Sequence, residues 1–326
     1  MPEVLLWHWV AFGVMVVVLL VLDLFVFHRH DHAPTLLEST WWTVFWVGLA
    51  VAFNALIWWW GGHDLGMVFL SGYLIEKSLS MDNIFVFVVI FRFFHVPLMY
   101  QYRVLFWGIL GAVVMRLIFI LAGVELINRF EWVMPLFGVF LLYTAVKLTL
   151  HSGTDVHPDQ NIVLKTARRF WRVTKGDHHE HGHSFFVREA GQLCITPMFL
   201  VLLVIESSDV LFAVDSVPAV IGIIPKSYTP SMTMFIAFTS NIFAILGLRA
   251  LYFLLAGVVE MFRFLHYGLA AVLGFVGAKM LADSFIPHET GHLVPTWVSL
   301  TVIVSLVAIS ILASVLIKPK KEDLHS

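Results

Sequence analysis

Nine long runs of mostly apolar residues follow one another along the chain and are separated by shorter polar segments. Each run supplies about the 20 apolar residues that an α-helix needs to cross the hydrocarbon core of a bilayer. The pattern therefore predicts an all-α, polytopic membrane protein with nine transmembrane helices. The predicted spans cover residues 4–27, 41–60, 67–91, 103–123, 131–150, 196–224, 231–257, 264–283 and 295–317.

The composition supports the same fold class. Of the 326 residues, 60% are hydrophobic and only 13% are charged, whereas a soluble domain carries about 25% charged residues. This argues against a soluble enzyme, a nucleic-acid-binding protein and a disordered scaffold, and it makes membrane lipid the expected surroundings. The single cysteine excludes a disulfide framework and a multi-thiolate metal site.

The Lys and Arg residues between the runs are distributed asymmetrically. With the N-terminus outside, the inside segments carry thirteen of them and the outside segments only Arg129 and Lys226. Positively charged segments remain on the cytoplasmic side of a membrane. We therefore expect a multi-pass protein of the cytoplasmic (inner) membrane, with its N-terminus outside and its C-terminus inside. The polar, His-rich loop 151–195 is then cytoplasmic, and its composition predicts a tether rather than a folded domain.

An internal repeat divides the single transmembrane domain, 1–326, into related parts. Residues 67–150 form repeat A and residues 196–283 form repeat B, each with three spans. An odd number of spans inverts the second copy, and inverted repeats of this kind occur in secondary transporters, with the substrate site near the midplane. The matched positions, each 133 residues apart, are Glu76 and Asp209, Asp82 and Asp215, Pro97 and Pro230, and Arg116 and Arg249.

Five carboxylates lie within the predicted spans, in the segments 74–87 and 204–220. They are Glu76, Asp82, Glu206, Asp209 and Asp215. Charged groups are expensive in hydrocarbon and mark ion pathways or buried ion pairs. Charge balance from Lys77, Arg116 and Arg249 leaves two negative charges in excess, which one divalent cation would neutralise. The alternative is a buried salt-bridge lattice that involves the two arginines.

The oxygen atoms of carboxylates, carboxamides and hydroxyls are hard ligands that suit Mg²⁺, Ca²⁺ or Mn²⁺. No His or Cys lies among the five carboxylates, which argues against Zn²⁺ or Cu⁺ as the intended substrate. For Asn54 and Asn241 the alternative is a hydrogen bond between helices, and Asp23 could instead extend to the membrane surface. The candidate supporting ligands are Asn83, Ser216, Asn241, Asn54 and Asp23.

The loop 151–195 contains a histidine tract formed by His178, His179, His181 and His183. Such tracts can chelate metal. Two interpretations are therefore open: a loop that collects metal or senses pH, and a solvated loop without a role. The tract formally matches H-E-x-x-H, but that protease motif requires a stable helix. A glycine within a polar histidine run argues against such a helix.

Three segments resemble the signature stretches of the TerC/Alx family of integral membrane proteins, and most closely its Alx-like branch. They are EKSLSMDNIFVF (76–87), ESSDVLFAVDSVPAV (206–220) and TSNIFAILGLRALYFLLAG (239–257). The resemblance implies a nine-helix protein that handles manganese and exports it from the cytoplasm. It also implies a metal-binding role for the five intramembrane carboxylates. The histidine tract is not part of the family pattern.

Together these observations predict a secondary transporter that exports Mn²⁺, or another hard divalent cation such as Ca²⁺, through a midplane carboxylate site in exchange for protons. The alternative is a membrane metallochaperone or scaffold that delivers metal to partner proteins. An enzyme is not expected, because the sequence has no GxSxG motif and no credible catalytic triad. No resident cofactor and no nucleic-acid partner are expected, and the sequence does not identify protein partners.

Overall fold

The computed structural model describes residues 2–27, 35–130, 132–150, 161–174, 184–189, 191–256, 264–286 and 293–316. These residues form eleven α-helices and one antiparallel hairpin. The strands are β1 (Phe186–Glu189) and β2 (Gln192–Ile195). The helices are α1 (Leu6–Phe27), α2 (Leu36–Gly61), α3 (His63–Phe93), α4 (Leu98–Arg129), α5 (Val133–Leu150), α6 (Ile162–Phe170), α7 (Pro197–Ile223), α8 (Pro230–Leu246), α9 (Leu248–Leu255), α10 (Leu265–Phe285) and α11 (Thr296–Leu316).

Seven of the described helices, α1, α2, α4, α5, α7, α10 and α11, are long and apolar enough to cross a membrane. The pair α8 and α9 forms an eighth candidate span, bent by 40° at Gly247. The prediction of an all-α polytopic membrane protein is therefore confirmed. The remaining predicted span, 67–91, falls within α3, whose 31 residues include three charged side chains near the middle of the helix.

Helix α3 lies at the centre of the molecule and packs against α2, α7, α8 and α11. Around it, α4 packs against α7 and α8, and α5 packs against α10. Helices of the first half of the chain are therefore interleaved with helices of the second half. This arrangement carries polar side chains from both halves into one interior.

Two glycines bring α5 and α10 into close contact. A Cβ atom built on Gly277 would lie 2.8 Å from the carbonyl oxygen of Gly138, and one built on Gly138 would lie 3.0 Å from that of Gly277. Small residues at such crossings allow the backbones of two membrane helices to approach closely. The α5–α10 contact fixes the position of Thr144 and Lys147, which belong to the candidate site described below.

The variant Gly277→Ala is expected to destabilise the protein by about 1–3 kcal/mol, the usual effect of overpacking a close contact. Gly274→Ala is the matched control on the same helix, because its Cβ atom would have its nearest neighbour at 3.7 Å. Thermal unfolding in detergent should show a lower midpoint for Gly277→Ala alone. Equal midpoints for the two variants would contradict the close contact.

The loop 151–195 contains more structure than its composition predicts. Asn161 caps α6 by accepting hydrogen bonds from the amides of Val163 and Leu164, and its Nδ2 donates to Ser207 Oγ of α7 at 2.9 Å. Leu164 and Ala167, three residues apart, are buried. A nine-residue amphipathic helix of this kind is too short to stand out in a polar segment, and α7 stabilises it.

Candidate functional site

A buried ion pair joins α3 to α4. Glu76 is completely buried, and Arg116 is nearly so. The two nitrogens Nη1 and Nη2 of Arg116 lie 2.9 Å from Oε2 and 2.8 Å from Oε1 of Glu76. Both carboxylate oxygens therefore face one guanidinium group, in the two-point geometry that suits Arg and Glu.

Three further polar residues surround this ion pair. Asn241 of α8 donates from Nδ2 to Glu76 Oε2 at 3.0 Å, and Arg116 Nη1 donates to Ser216 Oγ of α7. Asp209 of α7 is also buried and lies within electrostatic range of Arg116 and Glu76. These five residues are called the Arg116 cluster. The cluster contains two carboxylates but one cation, so it has one negative charge in excess.

A polar cavity of about 270 Å³ adjoins the Arg116 cluster, and Arg116 lines it as well. Its remaining polar lining residues are Asp82 and Asn83 of α3, Thr144 and Lys147 of α5, and Asp215 of α7. Leucines from α3, α5 and α10 and a phenylalanine from α7 complete the lining. Asp82 and Asp215, which occupy matched positions of the predicted repeats, therefore face the same space.

The two cavity carboxylates differ in their surroundings. Asp215 Oδ1 accepts a hydrogen bond from Thr144 Oγ1 at 3.1 Å, and Lys147 lies within electrostatic range of Asp215. Asp82 has no hydrogen-bond partner among the residues that the structure describes. Its carboxylate is therefore available to a ligand that enters the polar cavity.

Glu206 lies one helical turn before Asp209 and within electrostatic range of it. Its carboxylate packs against Gly111 of α4, where a Cβ atom would overlap the carboxylate oxygens. Glu206 therefore flanks the Arg116 cluster and does not line the polar cavity.

The five predicted carboxylates are thus distributed over three neighbouring environments. In the described part of the chain, no three Asp, Glu, His or Cys side chains are close enough to hold one metal ion together. The reason is visible in α3, where Asp82 follows Glu76 by six residues and so points about 120° away from it around the helix. Asp82 reaches the cavity, whereas Glu76 reaches Arg116.

The predicted charge-balancing residues have separate roles. Arg116 neutralises Glu76, as the salt-bridge alternative predicted, whereas Arg249 of α9 pairs with Asp23 of α1, outside the five carboxylates. Arg249 Nη2 also lies 3.3 Å from the backbone carbonyl oxygen of Asp23. Asp23 is buried by this contact and does not extend to the membrane surface.

Lys77 has a backbone partner instead of a carboxylate. Its Nζ donates to the carbonyl oxygen of Ala244 at 3.2 Å, at the end of α8 and next to the bend at Gly247. A cation at this place stabilises the negative end of a helix dipole. Lys77 therefore supports the bent pair of helices.

The remaining predicted residues fall outside both groups. Asn54 of α2 is buried and does not line the polar cavity, and the tract with His178, His179, His181 and His183 lies outside the described residues. Sequence reasoning missed Thr144 and Lys147 as site residues. Their spacing of three residues within an otherwise apolar span is a signal of a polar helix face.

Comparison with known proteins matches residues 61–322 to the family described as "Integral membrane protein TerC family". The chain is 46% identical over 308 residues to "Uncharacterized membrane protein STKORF319" of Myxococcus xanthus, with 94% of this chain and 92% of that protein covered. It is 41% identical to "Putative membrane-bound redox modulator Alx" of Salmonella typhi, with 96% and 95% covered. The protein of the same name from Escherichia coli K12 is 42% identical, with 93% and 92% covered. No solved structure matches.

Proposed function

The chain belongs to the TerC family of integral membrane proteins, and we propose that it is a secondary transporter that exports a hard divalent cation from the cytoplasm. Mn²⁺ is the proposed substrate, and protons are the proposed counter-ion. The observation that carries this proposal is the shared cavity of Asp82 and Asp215. Two carboxylates from different halves of the chain have a common ligand space within the helix bundle.

The helix contacts support an inverted repeat, with α3–α5 as one copy and α7–α10 as the other. If the copies are exchanged, the contact of α3 with α8 becomes the contact of α7 with α4, and both are extensive in the structure. The exchange turns α5 into α10 and α10 into α5, so the contact between these two helices is unchanged, and it too is extensive. Inverted repeats of this kind allow one half to rock against the other around a fixed substrate site.

The charges around the cavity support a divalent substrate. The cavity and the Arg116 cluster together contain Glu76, Asp82, Asp209 and Asp215 against two cations, Arg116 and Lys147. With all of these groups ionised, two negative charges remain, which one divalent ion would neutralise. Buried oxygen atoms add hard ligands, because Asn241 Oδ1 is buried without a hydrogen-bond partner in the described part of the chain.

Proton exchange follows from the chemistry of the same groups. A carboxylate must lose its proton before it can bind a metal ion, so metal entry releases protons and protonation releases the metal. Asp82, which has no partner among the described residues, is the proposed group at which this exchange takes place.

The topology is also part of the proposal. Counting α3 and the bent pair α8–α9 with the seven apolar helices gives nine spans, and the charge distribution then places the N-terminus outside and the C-terminus inside. Reporter fusions at the two ends should report from opposite sides of the inner membrane. Equal accessibility of both ends would contradict nine spans.

The name of the Alx relatives refers to redox modulation. Cys194 is the single cysteine of this chain, so a cysteine pair within one chain cannot carry such a role here. A transporter without a cysteine pair can still influence redox balance by moving a redox-active metal such as manganese.

The direct test is ion flux into proteoliposomes that contain the purified protein, with Mn²⁺, Ca²⁺, Mg²⁺ and Zn²⁺ offered separately at two external pH values. We expect saturable Mn²⁺ uptake that increases when the lumen is more acidic than the outside. Zn²⁺ should be the poorer substrate, because no imidazole or thiolate lines the cavity in the part of the chain that the structure describes. Liposomes without protein are the control. Absence of flux for every ion would favour the metallochaperone or scaffold alternative.

A further inference from the structure

The middle helices of the two proposed repeats differ in shape. In repeat A the middle helix is α4, which runs without a break over Leu98–Arg129. In repeat B it is the pair α8 and α9, which bends by 40° at Gly247. The matched position of α4 is Val114, in the interior of the straight helix. If the two copies exchange shapes when one half rocks against the other, α8 and α9 straighten into one helix, with Gly247 as the hinge.

The bend directs Arg249 out of the repeats. Helix α9 packs mainly against α2, and Arg249 pairs with Asp23 of α1. Both helices lie outside the repeats, and both partners of the pair are buried, with 3% of Asp23 and 4% of Arg249 exposed. Arg116, at the matched position of the straight helix, instead binds Glu76 within the repeats. The two matched arginines therefore differ in partner where their helices differ in shape.

The contacts at the bend can be exchanged without unfolding a helix. The amide of Gly247 donates to the carbonyl oxygen of Ile245, two residues back, so the helical hydrogen-bond pattern is interrupted there. Lys77 Nζ supplies a donor to the carbonyl oxygen of Ala244 at 3.2 Å. In a straight helix that carbonyl would accept from the amide of Leu248, four residues later. Straightening therefore replaces a side-chain donor with a backbone donor.

The matched positions identify a second partner for Arg249. Glu76 matches Asp209, so the contact of Arg116 with Glu76 corresponds to a contact of Arg249 with Asp209. Asp209 is buried in the Arg116 cluster, where two carboxylates share one cation. A second guanidinium group would neutralise the excess negative charge of this cluster. The charge at Asp209 is therefore one that Arg249 can balance.

A second matched contact points to the same place. Arg116 donates to Ser216, and the position that matches Ser216 in repeat A is Asn83. Asn83 carries an amide oxygen that can accept a hydrogen bond from Arg249. Asn83 also lines the polar cavity, so a guanidinium group bound there would occupy part of the cavity.

We propose that Arg249 is a second counter-ion of the ion site, held by Asp23 in the present conformation and bound to Asp209 in the opposite one. This inference rests on the proposed function and on its inverted repeat. In the opposite conformation Arg249 competes with the metal ion for the same negative charge and favours release of the ion. Asp23 is then a positioning residue, which keeps Arg249 away from the site while the polar cavity is open.

The test measures how fast a cysteine in the polar cavity reacts with a charged methanethiosulfonate reagent in the purified full-length protein. Leu148→Cys places this reporter in the cavity lining, and Cys194→Ala removes the natural thiol. We expect Asp23→Asn to slow the reaction at least about fivefold, the lower end of the usual coupling between two sites. The reason is that Arg249 loses its charged partner and binds at Asp209, which closes the cavity. Unfolding would speed the reaction, so it cannot imitate this result.

A second substitution separates the proposed role from a structural one. Adding Asp209→Asn to Asp23→Asn should restore the wild-type rate, because Arg249 then has no carboxylate to bind in the opposite conformation. Asp64→Asn is the control, because its side chain is 90% exposed and lies outside the cavity. An unchanged or faster reaction in Asp23→Asn would overturn the proposal, and so would a slow reaction that Asp209→Asn does not restore.

The labelling is carried out without metal, so its outcome is separate from that of the flux measurement. Absence of Mn²⁺ flux in the wild type would contradict the proposed transport, whatever the labelling rates are. Normal flux together with equal labelling of the wild type and Asp23→Asn would retain transport and remove the second role of Arg249.

Discussion

Replacement of Asp82 or Asp215 by asparagine is expected to abolish the export of the metal ion while the protein remains folded. Both carboxylates line the polar cavity, and neither takes part in the Arg116–Glu76 ion pair. Asparagine has nearly the shape of aspartate and can still accept a hydrogen bond from Thr144 at position 215. The substitution therefore removes a charge without creating a void.

The size of the effect follows from Coulomb's law. Two unit charges 4 Å apart attract each other by about 4 kcal/mol at an effective dielectric constant near 20. A loss of about 3 kcal/mol, somewhat less than this, lowers the affinity for the ion roughly 100-fold. At metal concentrations below the dissociation constant of the wild type, occupancy of the site and therefore the rate of transport should fall by the same factor.

Two measurements compare each variant with the wild type: Mn²⁺ flux in proteoliposomes, and metal accumulation in cells that produce the protein. Asp64→Asn and Glu125→Gln are matched controls, because both side chains are mostly exposed and lie outside the cavity. The controls should transport like the wild type. Full export by either cavity variant would remove that carboxylate from the proposed ion site.

Most of the fold could be predicted from hydrophobicity, because seven of the described helices are apolar over the length of a bilayer. The bend at Gly247 could not be predicted, since the span 231–257 contains no proline to mark a break. Tertiary contacts accompany the bend: a Cβ atom at Gly247 would lie 2.8 Å from Trp46 Cβ, and Lys77 binds the carbonyl oxygen of Ala244. Neither contact leaves a trace in the local sequence.

The part of the candidate site that could be predicted consists of residues at matched positions of the two predicted repeats. The match of Asp82 with Asp215 indicated a shared role, and both line one cavity. The match of Arg116 with Arg249 was misleading, because Arg116 binds Glu76 whereas Arg249 binds Asp23 of α1. Helix α1 lies outside both repeats, so an internal comparison of the sequence cannot reveal this asymmetry.

Arg116→Met is expected to be the most destabilising single substitution in the Arg116 cluster. Removal of one partner from a buried ion pair costs about 3–5 kcal/mol, because an uncompensated charge stays behind. Here two carboxylates, Glu76 and Asp209, lose their shared cation. Glu76→Gln should cost less, since Arg116 keeps Asp209 as a counter-charge and Asn241 can still donate to the amide oxygen.

The control for this prediction is the exposed pair of Glu125 and Arg129, whose side chains are 61% and 71% exposed. Arg129→Met should change the free energy of unfolding by less than about 1 kcal/mol, as is usual for surface ion pairs. Unfolding of detergent-solubilised protein by increasing fractions of SDS measures both variants on one scale. If Arg116→Met and Arg129→Met lower the free energy of unfolding by similar amounts, the buried charge has no special cost and the prediction is wrong.

A double variant separates the loss of the charge from the loss of packing. If the cost of Arg116→Met arises from stranded carboxylates, Glu76→Gln in the same chain should restore part of the stability, and Asp209→Asn should restore most of the rest. If the cost arises from the shape of the arginine side chain, neither addition should help, because the methionine remains. Stability that rises as carboxylates are removed would therefore identify Arg116 as the structural counter-ion of the cluster, and it would separate this structural role from that of Asp82 and Asp215, which line the cavity.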